Sequence, residues 1–181
     1  DRVREVKERL KKLLEEVERT NREVMERNHR LLEDVERKNR RVKEENHRLL
    51  EELKRLREDG KGDEAVKRVL EESKKLLDDL SEENKRVKEE SDKLLDEIRK
   101  KNEDVKRKIR ELLDRIRKEI EDERLLEDVE RTAERVEREL DRLHEETKRN
   151  ADRSREELEK LHRDSEKNAR DSAKELEKIR R

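Results

Sequence analysis

The sequence predicts an all-α protein, an up-down-up antiparallel bundle of three long, nearly untwisted helices. Of its 181 residues, 61% are charged, yet Lys+Arg 55 against Asp+Glu 56 leave a net charge of −1. Gly 2, Pro 0 and the absence of aromatic residues remove the turn formers and strand formers of β-rich folds. The apolar residues recur with the period of a helix, which favours long helices over other structures.

Composition also excludes several classes of protein. No apolar run approaches the roughly 20 residues of a membrane span, and no targeting signal is visible, so we expect a soluble chain. Cys 0 excludes disulfides and thiol chemistry. Basic pairs such as Arg40-Arg41 alternate with Glu, so we expect no nucleic-acid or membrane partner. Low hydropathy suggests disorder, but disordered chains typically also carry a high net charge, and the net charge of this chain is −1. We therefore expect it to fold.

Two features of the sequence mark the helix ends. Gly60 suits the left-handed position after a helix, and Asp63 suits the N-cap of the next one. Further on, the apolar residues of 109–120 and of 125–140 fall on nearly opposite faces, so a turn near Asp122, which caps the third helix, is expected. The predicted helices are 2–58, 63–120 and 123–180, with loops near 59–62 and 121–122, in a single domain over 1–181.

Each predicted helix contains an 18-residue repeat. In the first helix, Leu13-Leu14 recurs as Leu31-Leu32 and Leu49-Leu50. Eighteen residues in five turns is about 3.6 per turn, the twist of an unstrained helix, which predicts straight helices and no supercoil. Each apolar stripe covers about 120–140°, enough to face two neighbours, and short loops make neighbouring helices antiparallel.

Uncharged polar side chains interrupt these stripes, and we predict that they form a buried hydrogen-bond network. An unpartnered buried amide or hydroxyl costs about 1–3 kcal/mol, so such groups should pair and penalise wrong registers. The predicted members are Asn21, Asn28, His29, Asn39, Asn46, His47, Ser73, Asn84, Ser91, Asn102, His144, Thr147, Asn150, Ser154, His162, Ser165, Asn168 and Ser172.

Loop lengths predict which of these residues lie at the same height in the bundle. The predicted levels are Asn28 with Ser91 and Asn150, Asn46 with Ser73 and Asn168, Asn21 with Asn102 and His144, and Asn39 with Asn84 and His162. One repeat toward the other end of the bundle, all three helices carry apolar residues instead, such as Val3 in place of Asn21. That end is expected to supply more of the hydrophobic free energy.

The repeats are nearly identical in sequence. Asn28-His29-Arg30-Leu31-Leu32-Glu33 returns as Asn46-His47-Arg48-Leu49-Leu50-Glu51, and Glu, Lys and Arg saturate the outer faces. Over its whole length, the chain resembles de novo designed straight helical bundles with modular buried hydrogen-bond networks. The resemblance implies a stable scaffold, a pairing module or a switch with a displaceable helix. It also implies recombinant cytoplasmic expression and no natural biochemical activity.

No motif indicates catalysis or a metal site. Carboxylate pairs such as Glu15-Glu16 lie on solvated faces, whereas catalytic carboxylates need a cleft and shifted pKa values. His29 and His47 are about 27 Å apart along one helix, too far to share a zinc ion whose ligand bonds are about 2 Å. We therefore expect a non-enzyme without cofactors.

Three functional interpretations remain. The leading one is a designed structural scaffold that requires no partner. The second is an interaction module or switch, in which copies self-associate or the third helix leaves. In that case the histidines could act as a pH sensor, their alternative role being ordinary network members at the core edge. The third is a free charged helix, against which the matched polar levels argue.

Overall fold

The computed structural model describes residues 1–60 and 62–180, and of Arg180 the backbone alone. The described residues form three helices, α1 (Arg2–Glu58), α2 (Asp63–Glu119) and α3 (Glu123–Arg180), of 57, 57 and 58 residues. The predicted all-α fold is confirmed, and the predicted helix bounds agree to within one residue, since α2 ends at Glu119. Lys61, in the predicted loop, and Arg181 lie outside the described residues.

The helix ends follow the local sequence with one exception. Gly60 has a φ of 65°, in the left-handed region that a side chain disfavours. Asp122 caps α3, because its carboxylate oxygen accepts the Arg124 N–H at 3.0 Å. The prediction that Asp63 is an N-cap is wrong, since Asp63 is the first residue of α2 itself. There its negative charge still interacts favourably with the helix dipole.

The chain divides into two compact units, each containing a part of all three helices. Unit 1 comprises Asp1–His29 and Asp92–Arg153, and unit 2 comprises Arg30–Ser91 and Ser154–Arg181. The single domain and the low twist of the helices stay predictions.

Interhelical ion pairs in unit 1 show the direction of the helices. The α1–α2 pairs include Arg2–Glu119 and Glu16–Lys101, and the α2–α3 pairs include Lys106–Asp141 and Arg117–Glu130. In both sets, residue numbers rise on one helix as they fall on the other, so neighbouring helices are antiparallel. This is the predicted up-down-up arrangement.

Unit 1 contains the largest apolar cluster, to which all three helices contribute. Its buried members are Val3, Val6, Leu10, Leu13, Val17, Val105, Ile109, Ile116, Val129, Ala133, Val136, Leu140 and Leu143. They come from the repeat in which apolar residues replace the polar ones, so the predicted apolar end is confirmed. A smaller cluster in the same unit joins Val24, Leu95 and Ile98.

Unit 2 has two smaller apolar clusters. One joins Leu32, Val35, Val87 and Leu158, and the other joins Leu49, Leu53, Val66 and Val69. Among the described side chains of unit 2, Leu158 is the one apolar residue of α3 that is buried. In this unit α3 is therefore held by less apolar contact than α1 and α2.

Candidate functional site

In unit 2, three buried polar side chains connect all three helices. Asn46 of α1, Ser73 of α2 and Ser172 of α3 are 1%, 2% and 3% exposed. The Ser73 hydroxyl donates to Asn46 Oδ1, and Asn46 Nδ2 donates to Ser172 Oγ at 2.5 Å. A single amide thus uses its acceptor for one neighbouring helix and its donor for the other.

The third member of this level corrects the sequence prediction, which placed Asn168 there. Asn168 is half-buried, and Ser172, one helical turn later on the same face, takes the position. The same displacement recurs one repeat earlier on α3, where Ser154 is buried and Asn150 is half-buried. A short turn leaves the axial offset of the next helix free by about one turn of about 5.4 Å, so loop length predicts the face but not the height.

A second level of unit 2 pairs two amides directly. Asn39 Nδ2 donates to Asn84 Oδ1 at 2.8 Å, and Asn84 Nδ2 donates back to Asn39 Oδ1 at 3.2 Å. Asn39 also donates to the backbone carbonyl of Val35 at 2.7 Å. The predicted third member, His162, is half-buried and pairs instead with Glu166 of its own helix at 2.9 Å.

The repeat-equivalent amides of unit 1 are arranged differently. Asn21 and Asn102 are 8% and 3% exposed. Asn21 Oδ1 and both polar atoms of the Asn102 side chain have no hydrogen-bond partner within the protein. Thr147 of α3 is buried in the same unit, and its hydroxyl donates to the Leu143 carbonyl at 2.8 Å.

Backbone carbonyls are the network members that the sequence reasoning missed. Thr147 and Thr132 donate to the carbonyls of Leu143 and Asp128, four residues earlier on α3. Threonine and serine side chains inside a helix commonly donate to the carbonyl four residues earlier, so the residue type alone could have indicated these bonds.

The remaining predicted members differ in burial. Asn28 and Ser91 are buried, whereas Ser165 and His144 are half-buried. His29 and His47 are exposed, so their assignment to a buried network is wrong. Both follow a core-facing Asn directly, and one residue rotates the side chain by about 100° around the helix, out of the core.

Charged side chains form ion pairs at the protein surface, both between helices and within one helix. Lys7 donates to the Asp128 carboxylate, and this hydrogen bond lowers the pKa of Asp128 below its ordinary value. Arg99 lowers the pKa of Asp96 in the same way. Both carboxylates lie at the solvent, so the pKa shifts reflect surface ion pairs and not a catalytic cleft.

Shallow grooves border α3 in unit 2. One, of about 420 Å³, lies between α2 and α3 and is lined by Leu70, Leu77, Ala173 and Leu176 among others. Another, of about 390 Å³, is bordered by Leu158. In the first groove, the α3 side of the lining includes the small residues Ala169, Ser172 and Ala173.

Neither a metal-ligating cluster nor a membrane-spanning helix is found in the part of the chain that the structure describes. Within residues 1–60 and 62–180, no group of three or more His, Cys, Asp or Glu side chains could hold a metal ion. Over the same residues, none of the helices has a stretch apolar and long enough to traverse a bilayer.

Comparison with known proteins gives a match among solved structures. No protein-family model and no curated protein matches the sequence. A solved structure described as "Computationally designed three helix bundle" is similar over 98% of this chain and 88% of that chain, with a TM-score of 0.58 and 17% sequence identity. The chain therefore has the fold of a three-helix bundle, with buried Asn and Ser side chains that hydrogen-bond between the helices.

Proposed function

We propose that the chain is a designed structural scaffold without natural biochemical activity, in which buried polar layers specify how the helices pair. One observation carries the proposal: Asn46 bonds to both neighbouring helices at once, through Ser73 and Ser172. A shift of α1 or α2 by one turn would place these groups against apolar side chains such as Val42 or Val69, at a cost of about 1–3 kcal/mol for each unpartnered group. The similarity to a designed three-helix bundle supports the proposed origin.

The outer surface fits a scaffold that requires no partner or cofactor. Ion pairs such as Lys38–Glu83 and Lys54–Glu175 join neighbouring helices at the solvent, where each contributes about 0–1 kcal/mol. Interleaved charges of both signs also give no continuous basic track for a nucleic acid. In this proposal the surface provides solubility, and the polar layers provide specificity.

The test replaces the Asn46 layer by the residues that the apolar repeat carries at the same positions. The variant is Asn46→Leu with Ser73→Ile and Ser172→Val, which copies the buried Leu10, Ile109 and Val136. The repeat already accommodates these side chains, so overpacking is avoided. Because both partners of every bond are removed, we expect an unfolding free energy that is unchanged or raised by up to about 3 kcal/mol.

The same variant tests pairing specificity through spin labels. The chain has Cys 0, so Arg48→Cys on α1 and Arg170→Cys on α3, both exposed, provide unique attachment sites. With the polar layer we expect one narrow distance distribution by pulsed electron paramagnetic resonance, and in the apolar variant a broader one. Leu49→Ile, a purely apolar change in the same unit, is the control. An equally narrow distribution in the layer variant would contradict the proposal.

A second candidate is an interaction module in which copies associate or α3 leaves. The specific observation in its favour is that α3 buries one apolar side chain in unit 2, Leu158, among those described there. Light scattering after size exclusion, across a hundredfold range of concentration, distinguishes the scaffold from the form of this module in which copies associate. A constant monomer mass supports the scaffold, whereas a rising mass supports self-association.

A further inference from the structure

The two Asn–Asn levels of the bundle have the same sequence pattern but different hydrogen bonding. Asn21 and Asn102 lie one 18-residue repeat from Asn39 and Asn84 on α1 and α2 respectively. In unit 2 the two amides bond directly and reciprocally. In unit 1 three of the corresponding atoms have no partner within the protein, although both residues are more than nine-tenths buried.

We propose that Asn21 and Asn102 form a binding site for an internal water molecule. The unpartnered atoms are two carbonyl oxygens, Asn21 Oδ1 and Asn102 Oδ1, and one amide nitrogen, Asn102 Nδ2. A water molecule donates two hydrogen bonds and accepts from an N–H, so one water complements this set. Buried waters typically make about three hydrogen bonds to groups that are otherwise unsatisfied.

The α3 residue at this level supports the assignment. The spacing that joins Asn46 to Ser172 places Thr147 level with Asn21 and Ser165 level with Asn39. Thr147 is buried, and its hydroxyl hydrogen is engaged by the Leu143 carbonyl, so it is not available to the two amide oxygens. The amides of unit 1 are thus enclosed with unmet hydrogen-bonding capacity, and water is the smallest molecule that supplies both donors and acceptors.

¹⁷O magnetic relaxation dispersion on the full chain counts long-lived internal waters and so tests this site. The test variant, Asn21→Val with Asn102→Ile, copies the apolar repeat's Val3 and Ile120. The matched control, Asn39→Val with Asn84→Ile, makes the same changes at the directly bonded level. We expect the test variant to lose one long-lived water relative to the unaltered chain, and the control to keep it.

A second readout does not depend on a variant. In the unaltered chain, nuclear magnetic resonance should show magnetisation exchange between a long-lived water and the Asn102 side-chain NH₂ group, and none to the Asn84 NH₂ group. An unchanged water count in the test variant would overturn the proposal. So would a direct bond between the Asn21 and Asn102 amides in a high-resolution crystal structure.

Discussion

In unit 1, α3 contributes a run of buried apolar residues to one large cluster, whereas in unit 2 it buries Leu158 together with Ser154 and Ser172. The same helix, with the same 18-residue period, runs through both units. What differs is whether the core positions carry apolar or hydrogen-bonding side chains. The two units therefore separate stability from pairing specificity. Apolar burial stabilises the fold but is non-directional, whereas hydrogen bonds require a defined geometry and contribute little net free energy.

The largest expected effect on the unfolding free energy comes from making a cavity in each unit. Ile109→Ala in unit 1 removes a fully buried side chain, and we expect a loss of about 2–5 kcal/mol in unfolding free energy. Leu158 in unit 2 borders a groove of about 390 Å³, so Leu158→Ala creates less enclosed space. Its loss of unfolding free energy should therefore lie near the lower end of this range, about 2 kcal/mol. Chemical denaturation measures both. A larger loss for Leu158→Ala would contradict the comparison.

A smaller effect tests the polar layer of unit 2. Asn46→Ala leaves the buried hydroxyls of Ser73 and Ser172 without their amide, at an expected cost of about 1–3 kcal/mol. The matched control is Asn168→Ala, the residue first expected at this level. Because Asn168 is half-buried, its replacement should stay within about 0.5 kcal/mol. Equal losses for the two variants would restore Asn168 to the layer.

The smallest effect concerns the surface of unit 1. The pKa of Asp128 is lowered in the folded chain by Lys7, so this ion pair stabilises the fold above the carboxyl's unfolded pKa of about 3.9. The contribution is lost as the pH falls through the still lower folded pKa. Carbon-detected titration of Asp128 should show this depressed midpoint, and Lys7→Gln should return it toward the ordinary value. A midpoint that does not respond to Lys7→Gln would exclude the ion pair.

Much of the fold follows from patterns in the sequence that act locally. The first helix end was predictable because Gly60 has a backbone preference that no distant contact overrides, and the second because the apolar stripe changes face near Asp122. The faces of the helices were predictable because an 18-residue repeat keeps the phase of the apolar stripe. For the same reason, Asn46 and Ser73 could be matched across the first loop before any contact was known.

Three properties were not predictable in this way. The height of α3 depends on how its turn packs, so the prediction of Asn168 missed Ser172 by one helical turn. His29 is exposed because its side chain is rotated by about 100° around the helix from that of the buried Asn28. An apolar stripe of about 120–140° does not define which residues at its edge are buried. Whether two equivalent amides bond directly, as Asn39 and Asn84 do, depends on side-chain geometry that the sequence pattern does not specify, since Asn21 and Asn102 have the same pattern.

Native-state amide hydrogen exchange along α3 compares the local stability of the helix in the two units. If apolar burial holds unit 1 and polar layers orient unit 2, amides at 129–143 should exchange only through openings that approach global unfolding. Amides at 158–176 should exchange through openings of lower free energy. Equal protection along the whole of α3 would contradict the account, because it would mean that the buried Asn and Ser layers hold the helix as firmly as the apolar cluster does.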